Sequence, residues 1–153
     1  MSVFLSRSCE YALQAVIYLA SKTNDTPVLQ RDISKALTIP QHFLGKILQI
    51  LVRHNIVASQ KGKSGGFFLK RSPKDFSLYD IIKVIDGSAF LDSCVLGFPG
   101  CSDESPCPVH EDWKETKKNI VRMLKDNSLE KLSKGIGPKL DFIKKQPQLP
   151  DLK

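Results

Sequence analysis

Acidic residues are scarce in the first half of this 153-residue chain: residues 1–74 hold 3 Asp/Glu against 11 Lys/Arg, a balance of +8. Residues 75–153 hold 13 against 12, so the whole of the formal net charge of +7 lies at the front. One-sided charge of this kind is the footprint of a domain that meets nucleic acid, with plain solubility as the alternative. Long hydrophobic runs are lacking as well. No stretch of about 18 apolar residues occurs, so no membrane-spanning helix is expected. The N-terminal MSVFLSRSCEYAL has no basic segment leading into an uninterrupted apolar stretch with a small-residue cleavage site. The expected location is therefore the cytoplasm. Cysteine is limited to 4 residues, and in a reducing compartment thiols stay reduced, which argues against a disulfide staple. The 3 histidines are scattered. No nucleophile–base pair, phosphate loop or carboxylate constellation is placed for catalysis, so no enzyme is expected. What remains is 41% hydrophobic and 25% charged, a globular composition sized for one domain or a small domain with an accessory arm.

The apolar spacing predicts a first helix over 9–22, through Leu13, Val16, Ile17 and Ala20, and a short second one over 29–37. The second ends at Thr38-Ile39-Pro40, because the residue before a proline is pushed out of helical geometry. A third helix spans 41–55. Its Leu44, Ile47, Leu48 and Leu51 follow the i, i+3, i+4, i+7 rule and must face a core. His42, Lys46, Gln49 and Arg53 then form an opposite polar, cationic face. Two short helices, the second presenting long hydrogen-bonding side chains, form a helix-turn-helix pattern. Strand signals at 56–60 and 67–71 flank the glycine-rich KGKSGG, predicting a hairpin in the position of a wing. A plain structural hairpin is the alternative.

The candidate DNA contacts are Gln41, His42, Lys46, Gln49 and Arg53 on the helix, with Arg31 ahead of it. Lys61, Lys63, Ser64, Gly65 and Lys70 join them from the hairpin. The helix is expected in the major groove and the wing tip on phosphate or the adjacent minor groove, with steep salt dependence. Gly65 and Gly66 permit positive φ and let the backbone lie close to a phosphate.

A further short helix over 77–87 ends at Gly87. Beyond the cysteine-rich stretch, a long helix over 108–127 carries Val109, Trp113, Ile120 and Leu124 as a narrow stripe, and a shorter one follows over 128–135. The stripe is expected to pack against a second protomer, since helix-turn-helix proteins commonly read two half-sites as symmetric dimers. Folding back on its own domain is the alternative. The fold class is thus mainly α with a small β-hairpin. A winged helix-turn-helix domain occupies 1–87, a cysteine-bearing loop 88–107, dimerisation helices 108–135 and a flexible tail 136–153.

CVLGFPGCSDESPCPVH, residues 94–110, holds Cys94, Cys101 and Cys107 at C-x6-C-x5-C spacing, with His110 three residues after the last. Thiolate and imidazole are the ligands of zinc and of iron–sulfur clusters. Structural zinc usually draws on close C-x2-4-C pairs, whereas wide gaps suit a loop wrapped around a larger inorganic unit. Spacing alone leaves both open, and a metal-free thiol switch beside them. Pro108 suits the first turn of a helix, which would put Cys107 at the N-cap and His110 within that turn. The helix dipole there favours a thiolate. An ordinary exposed histidine is the plainer role for His110.

EYAL (10–13), IPQHFLGKILQIL (39–51), GKSGGFFLKR (62–71), LYDIIKVIDG (78–87) and the cysteine series up to Trp113 together carry a resemblance. Over about residues 1–130 the chain resembles the IscR- and NsrR-type winged-helix transcriptional regulators. The resemblance implies a homodimer on palindromic, double-stranded operator DNA. It also implies an iron–sulfur cluster on Cys94, Cys101 and Cys107 whose state sets operator affinity in response to iron supply, oxidants or nitric oxide. The first gap is six residues where related proteins usually have five. For the fourth ligand, the IscR-like type implies His110. The nitric-oxide-sensing type implies an acidic residue near the partner's N-terminus, a position matched by Glu10. Cys9 beside it is a further candidate, with a small buried core residue as its plainer role. A histidine ligand suits 2Fe–2S, the expected cluster; a carboxylate suits 4Fe–4S, the alternative.

Overall fold

The computed structural model describes residues 4–22 and 26–146. Helix α1 (Arg7–Ala20) begins where the Ser6 hydroxyl accepts the Cys9 backbone N–H at 3.1 Å, satisfying one of the donors a helix start leaves unpaired. It buries Cys9, Ala12, Ala15, Val16, Tyr18 and Leu19. Helix α2 (Gln30–Leu37) ends at Thr38, which turns left-handed at φ 55 just ahead of Ile39-Pro40. Helix α3 (Gln41–Arg53) follows at once, and Gln30 Nε2 donates to the Gln41 carbonyl at 2.8 Å, pinning the start of α2 to the start of α3.

Strands β1 (Val57–Gln60) and β2 (Gly66–Leu69) pair antiparallel, from Val57 opposite Leu69 to Gln60 opposite Gly66. Val28 adds a bridge on the other side of β2, exchanging two backbone hydrogen bonds with Phe67 at 2.8 and 2.9 Å. That close approach explains Gly66. Its φ is 143, and a Cβ there would lie 2.5 Å from the Val28 backbone, a distance no side chain tolerates.

A short 3-10 turn (Pro73–Asp75) leads to α4 (Leu78–Ile85), opened by a capping box between Ser77 and Asp80. Then come α5 (Ala89–Asp92), the cysteine loop, α6 (His110–Asp126), α7 (Leu129–Gly135) and α8 (Gly137–Lys145). The main core joins α1, α2 and α3 to Ile56, Val57, Phe76, Ile81 and Leu129. A second cluster packs Cys9, Ile82 and Leu124, flanked by Ile120, Phe90 and Ile85.

These contacts correct three expectations. The C-terminal part of the α6 stripe, Ile120 and Leu124, packs on the chain's own α1 and α4, because Leu124 finds the apolar space beside Ile82. Burying such a side chain is worth about 1.5–3 kcal/mol. Helix α7 is likewise no separate arm, since Leu129 is fully buried in the winged-helix core and its N–H bonds the Phe76 carbonyl at 2.9 Å. The tail expected over 136–153 is helical across Gly137–Lys145, where Pro138 opens the helix and Leu140 packs on the main core. Residues 147–153 lie outside the described residues.

Candidate nucleic-acid interface and metal centre

Helix α3 sorts its faces as its periodicity dictates. Leu44, Ile47, Leu48 and Leu51 are buried, while Gln41, His42, Lys46, Gln49 and Arg53 are exposed. Arg31 is also exposed, with its guanidinium 3.8 Å from Asp32. At the hairpin tip Lys61, Lys63 and Ser64 stand in solvent. Lys70 is exposed too, and its ammonium donates to Asn55 Oδ1 at 2.6 Å, bracing the left-handed turn that ends α3 (Asn55 φ 59). Gly66 uses the freedom of positive φ and Gly65 does not. Gly65 is buried; its N–H is spent on the Gly62 carbonyl at 3.0 Å, and a Cβ would meet the Gln60 carbonyl at 2.2 Å. Gly65 therefore shapes the turn instead of offering its amide to a phosphate. Phe43, absent from the sequence-based set, is 49% exposed beside His42, their rings 4.2 Å apart.

The cysteine loop closes on itself. Cys94 follows α5 and Cys107 precedes α6, and their sulfurs lie 3.6 Å apart. The three sulfurs of Cys94, Cys101 and Cys107 all fall within 4.8 Å of one another. His110 opens α6, with Val109 at its N-cap. Cys107 is thus not the N-cap as expected: Pro108 and Val109 make a turn in which the His110 N–H bonds the Cys107 carbonyl at 3.0 Å. The ring still arrives at the thiols, with Nδ1 3.2 Å from Cys101 Sγ. Its Nε2 lies 2.9 Å from Asp103 Oδ1, which also accepts from Lys114 Nζ at 2.7 Å. These residues line a cleft of about 240 Å³.

The electrostatics follow from these bonds. The Cys107 backbone N–H and then His110 stabilise the Cys101 thiolate, lowering that thiol to about 7, whereas burial pushes Cys107 up. Asp103 falls to about 2 through Lys114 and His110, and raises both partners in turn. Cys9 is the opposite case. It has no accessible surface, and burial, then the nearby Asp86, raises it to about 12. It fills core space and cannot reach a ligand, which removes it as a fourth-ligand candidate. Glu10 pairs with Arg7 at 3.0 Å. Three soft thiolates that converge without a close C-x2-C pair, with an imidazole beside them, fit an iron–sulfur cluster.

The profile of the Rrf2 family, described as iron-dependent transcriptional regulators, matches residues 5–135. The chain belongs to the Rrf2 family. Over 132 residues it is 33% identical to a protein of Aquifex aeolicus named as an HTH-type transcriptional regulator, covering 85% of this chain and 91% of that one. It is 28% identical over 131 residues to the HTH-type transcriptional regulator IscR of Xenorhabdus nematophila, covering 86% and 79%. Its fold matches the solved structure of CymR (YrzC), the global cysteine regulator of B. subtilis, with a TM-score of 0.73 at 25% identity, covering 88% and 98%. This Rrf2 chain is a winged-helix, DNA-binding transcriptional regulator, and its relatives are regulators, not enzymes. Among the described residues no helix is long and apolar enough to cross a membrane.

Two residues of this Rrf2 site escape sequence reasoning. Asp103 sits in an acidic loop and reads as a solvated charge, while Lys114 reads as part of the wet face of a long helix. The available signal was the i, i+4 spacing of His110 and Lys114, which puts both on one face of α6.

Proposed function

We propose that this Rrf2 regulator is a cytoplasmic homodimer that binds palindromic operator DNA with an affinity set by an iron–sulfur cluster. Cys94, Cys101, Cys107 and His110 are its ligands. The observation that carries this reading is the convergence of the three sulfurs within 4.8 Å, with His110 Nδ1 3.2 Å from Cys101 Sγ. When bound, the cluster supplies a centre whose presence and redox state answer to iron supply, oxidants or nitric oxide. The chain supplies the rest. Ligation ties the end of α5 to the start of α6, and α6 leans on α4 through Ile120 and Leu124. Helix α4 and helix α3 both pack on α1, so order in the loop reaches the recognition helix through contiguous packing.

Gln41, His42, Lys46, Gln49 and Arg53 meet bases and phosphates along the major groove in this scheme, while Arg31, Lys61, Lys63, Ser64 and Lys70 mainly engage phosphates. The dimer reading draws support from Val95, Leu96 and Phe98, each more than half exposed in the cluster loop, and from Val109 and Trp113 of the stripe, which stay half-buried in the single chain. Exposed apolar side chains of this kind suit burial against a second copy of the chain. A histidine ligand favours 2Fe–2S. A partner's carboxylate, at the position of Glu10, favours 4Fe–4S.

The test is purification without oxygen, followed by a visible spectrum and a count of iron and sulfide. A brown protein that loses its colour in Cys94→Ala, Cys101→Ala or Cys107→Ala supports the cluster, and His110→Ala against Glu10→Ala identifies the fourth ligand. A colourless protein with stoichiometric zinc rejects it. A metal-free thiol switch, for which the 3.6 Å between Cys94 Sγ and Cys107 Sγ is the specific geometry, would instead show peroxide-dependent DNA binding in metal-free protein.

A further inference from the structure

His110 has two ring nitrogens, and only one can carry the lone pair that meets iron while the other keeps its proton. The structure distinguishes them. Nε2 lies 2.9 Å from Asp103 Oδ1, and Nδ1 lies 3.2 Å from Cys101 Sγ. A carboxylate accepts and does not donate, so Asp103 calls for the proton on Nε2; a Cys101 thiolate competes for it at Nδ1 in metal-free protein, and a ligated Nδ1 leaves the proton to Nε2 and Asp103. The carboxylate is itself held. Lys114, one helical turn beyond His110 on α6, donates to the same Oδ1 at 2.7 Å. On the loop side, Ser102 and Ser105 exchange backbone hydrogen bonds at 3.1 and 3.2 Å, closing the turn that carries Asp103.

We propose that Asp103, anchored by Lys114, is the positioning residue that presents His110 Nδ1 to the cluster. This assignment rests on the cluster reading above for its purpose, though not for its geometry. Carboxylates that accept the outer N–H of a ligating histidine fix its tautomer and raise its basicity, and their loss typically weakens metal affinity about 10-fold to 100-fold. Asp103 itself binds no iron. Its side chain is 66% exposed, so replacing it leaves the core untouched.

Two measurements test the assignment separately. In a metal-free, reduced parent carrying Cys101→Ala, which removes the competing thiolate, and at a pH where the rings are neutral, long-range proton–nitrogen NMR spectra report each histidine tautomer, with His110 identified by its loss in His110→Ala. The expected result is Nε2–H for His110 in the parent, a mixture in Asp103→Ala, and recovery in Asp103→Asn, whose amide oxygen still accepts. A parent in which Nδ1 holds the proton, or an Asp103→Ala tautomer that does not change, overturns the proposal whether or not a cluster forms. In anaerobically loaded protein, histidine labelled with nitrogen-15 at Nδ1 should give strong coupling to the reduced cluster, and label at Nε2 weak coupling. Asp103→Ala should lose iron to a chelator about 10-fold to 100-fold faster. Strong coupling from Nε2, or a loaded cluster showing no histidine coupling, overturns the ligand-positioning role. Failure to load any cluster, with the tautomer result intact, instead counts against the cluster reading and leaves the Asp103–His110 geometry standing.

Discussion

Cys101 and Cys9 carry the same thiol into opposite surroundings. Cys101 receives the Cys107 N–H and faces His110, and titrates near about 7. Cys9 is sealed in the core and is pushed to about 12. Because the thiolate is the nucleophile, iodoacetamide at neutral pH should label Cys101 first in metal-free protein. Cys9 should stay unlabelled until the chain unfolds, and peptide mass spectrometry reads both. Asp103 and His110 give the loop a pH window. Asp103 drops from 3.8 to about 2, so its contribution is complete above 3.8 and is lost as pH falls toward 2. His110 is raised above 6.5, so its contribution is complete below 6.5 and fades as pH rises through its folded value. Both act together between 3.8 and 6.5. The single Trp113 donates its indole N–H to the Ser93 carbonyl at 2.8 Å, next to Cys94. Its emission should hold steady inside that window in metal-free protein and shift to the red outside it, less so at high salt because Asp103 and Lys114 are exposed. The convergence of the three cysteines and His110 was legible, since cysteine and histidine are scarce and their clustering in sequence becomes clustering in space. Asp103 was not, because only the folded turn shows which of the loop's acids meets the imidazole.

Among the elements, those with a strict apolar period were legible within a few residues: α1, α2, α3, both hairpin strands, α4, α6 and α7. Helices α5 and α8 were not. Four residues of α5 are too few to show a period, and α8, which packs on α2 and α7 with Leu140 on the core, lies behind a Gly-Pro start that reads as a break. The role of α7 was hidden for a related reason. Its sequence gives a helix but not the surface it covers, and only packing shows Leu129 with no exposure in the winged-helix core. Leu129→Ala should therefore cost about 2–5 kcal/mol in denaturant unfolding. Met123→Ala, at a residue 54% exposed on α6, should stay within about 0.5 kcal/mol. Helix α3 and the wing make a second, separable prediction. If Lys46, Lys61 and Lys63 each neutralise one phosphate, each alanine variant should flatten the slope of log K against log salt by about 0.9, measured on one duplex across a salt series.

For the molecule as a whole, the sequence suggests a reading head, a sensor loop and a dimer arm in series, yet the fold does not keep them apart. Helix α1 touches α3, α4 and α7, and α4 touches α6, so the helix that begins at the cysteine loop connects to the proposed recognition helix through α4 and then α1. The proposed communication requires no long-range force, because a change in how α6 sits on α4 would reach α3 through α1. Thermodynamic reciprocity then makes the link measurable from either end. If oxidised and reduced cluster bind the operator with different affinity, the operator must bind the two redox states unequally, and the cluster's midpoint potential must move when DNA is added. For a one-electron centre each tenfold difference in affinity corresponds to about 59 mV. The expected outcome is a shifted potential for anaerobically loaded protein titrated with a duplex recovered by in vitro selection, and no shift with a scrambled duplex of equal length. A positive shift identifies the reduced form as the tighter binder, a negative shift the oxidised form. A potential that the selected duplex leaves in place would mean the operator does not distinguish redox states. Cluster loss, read as a difference in operator affinity between loaded and metal-free protein, would then be the signal that α6 passes to α3.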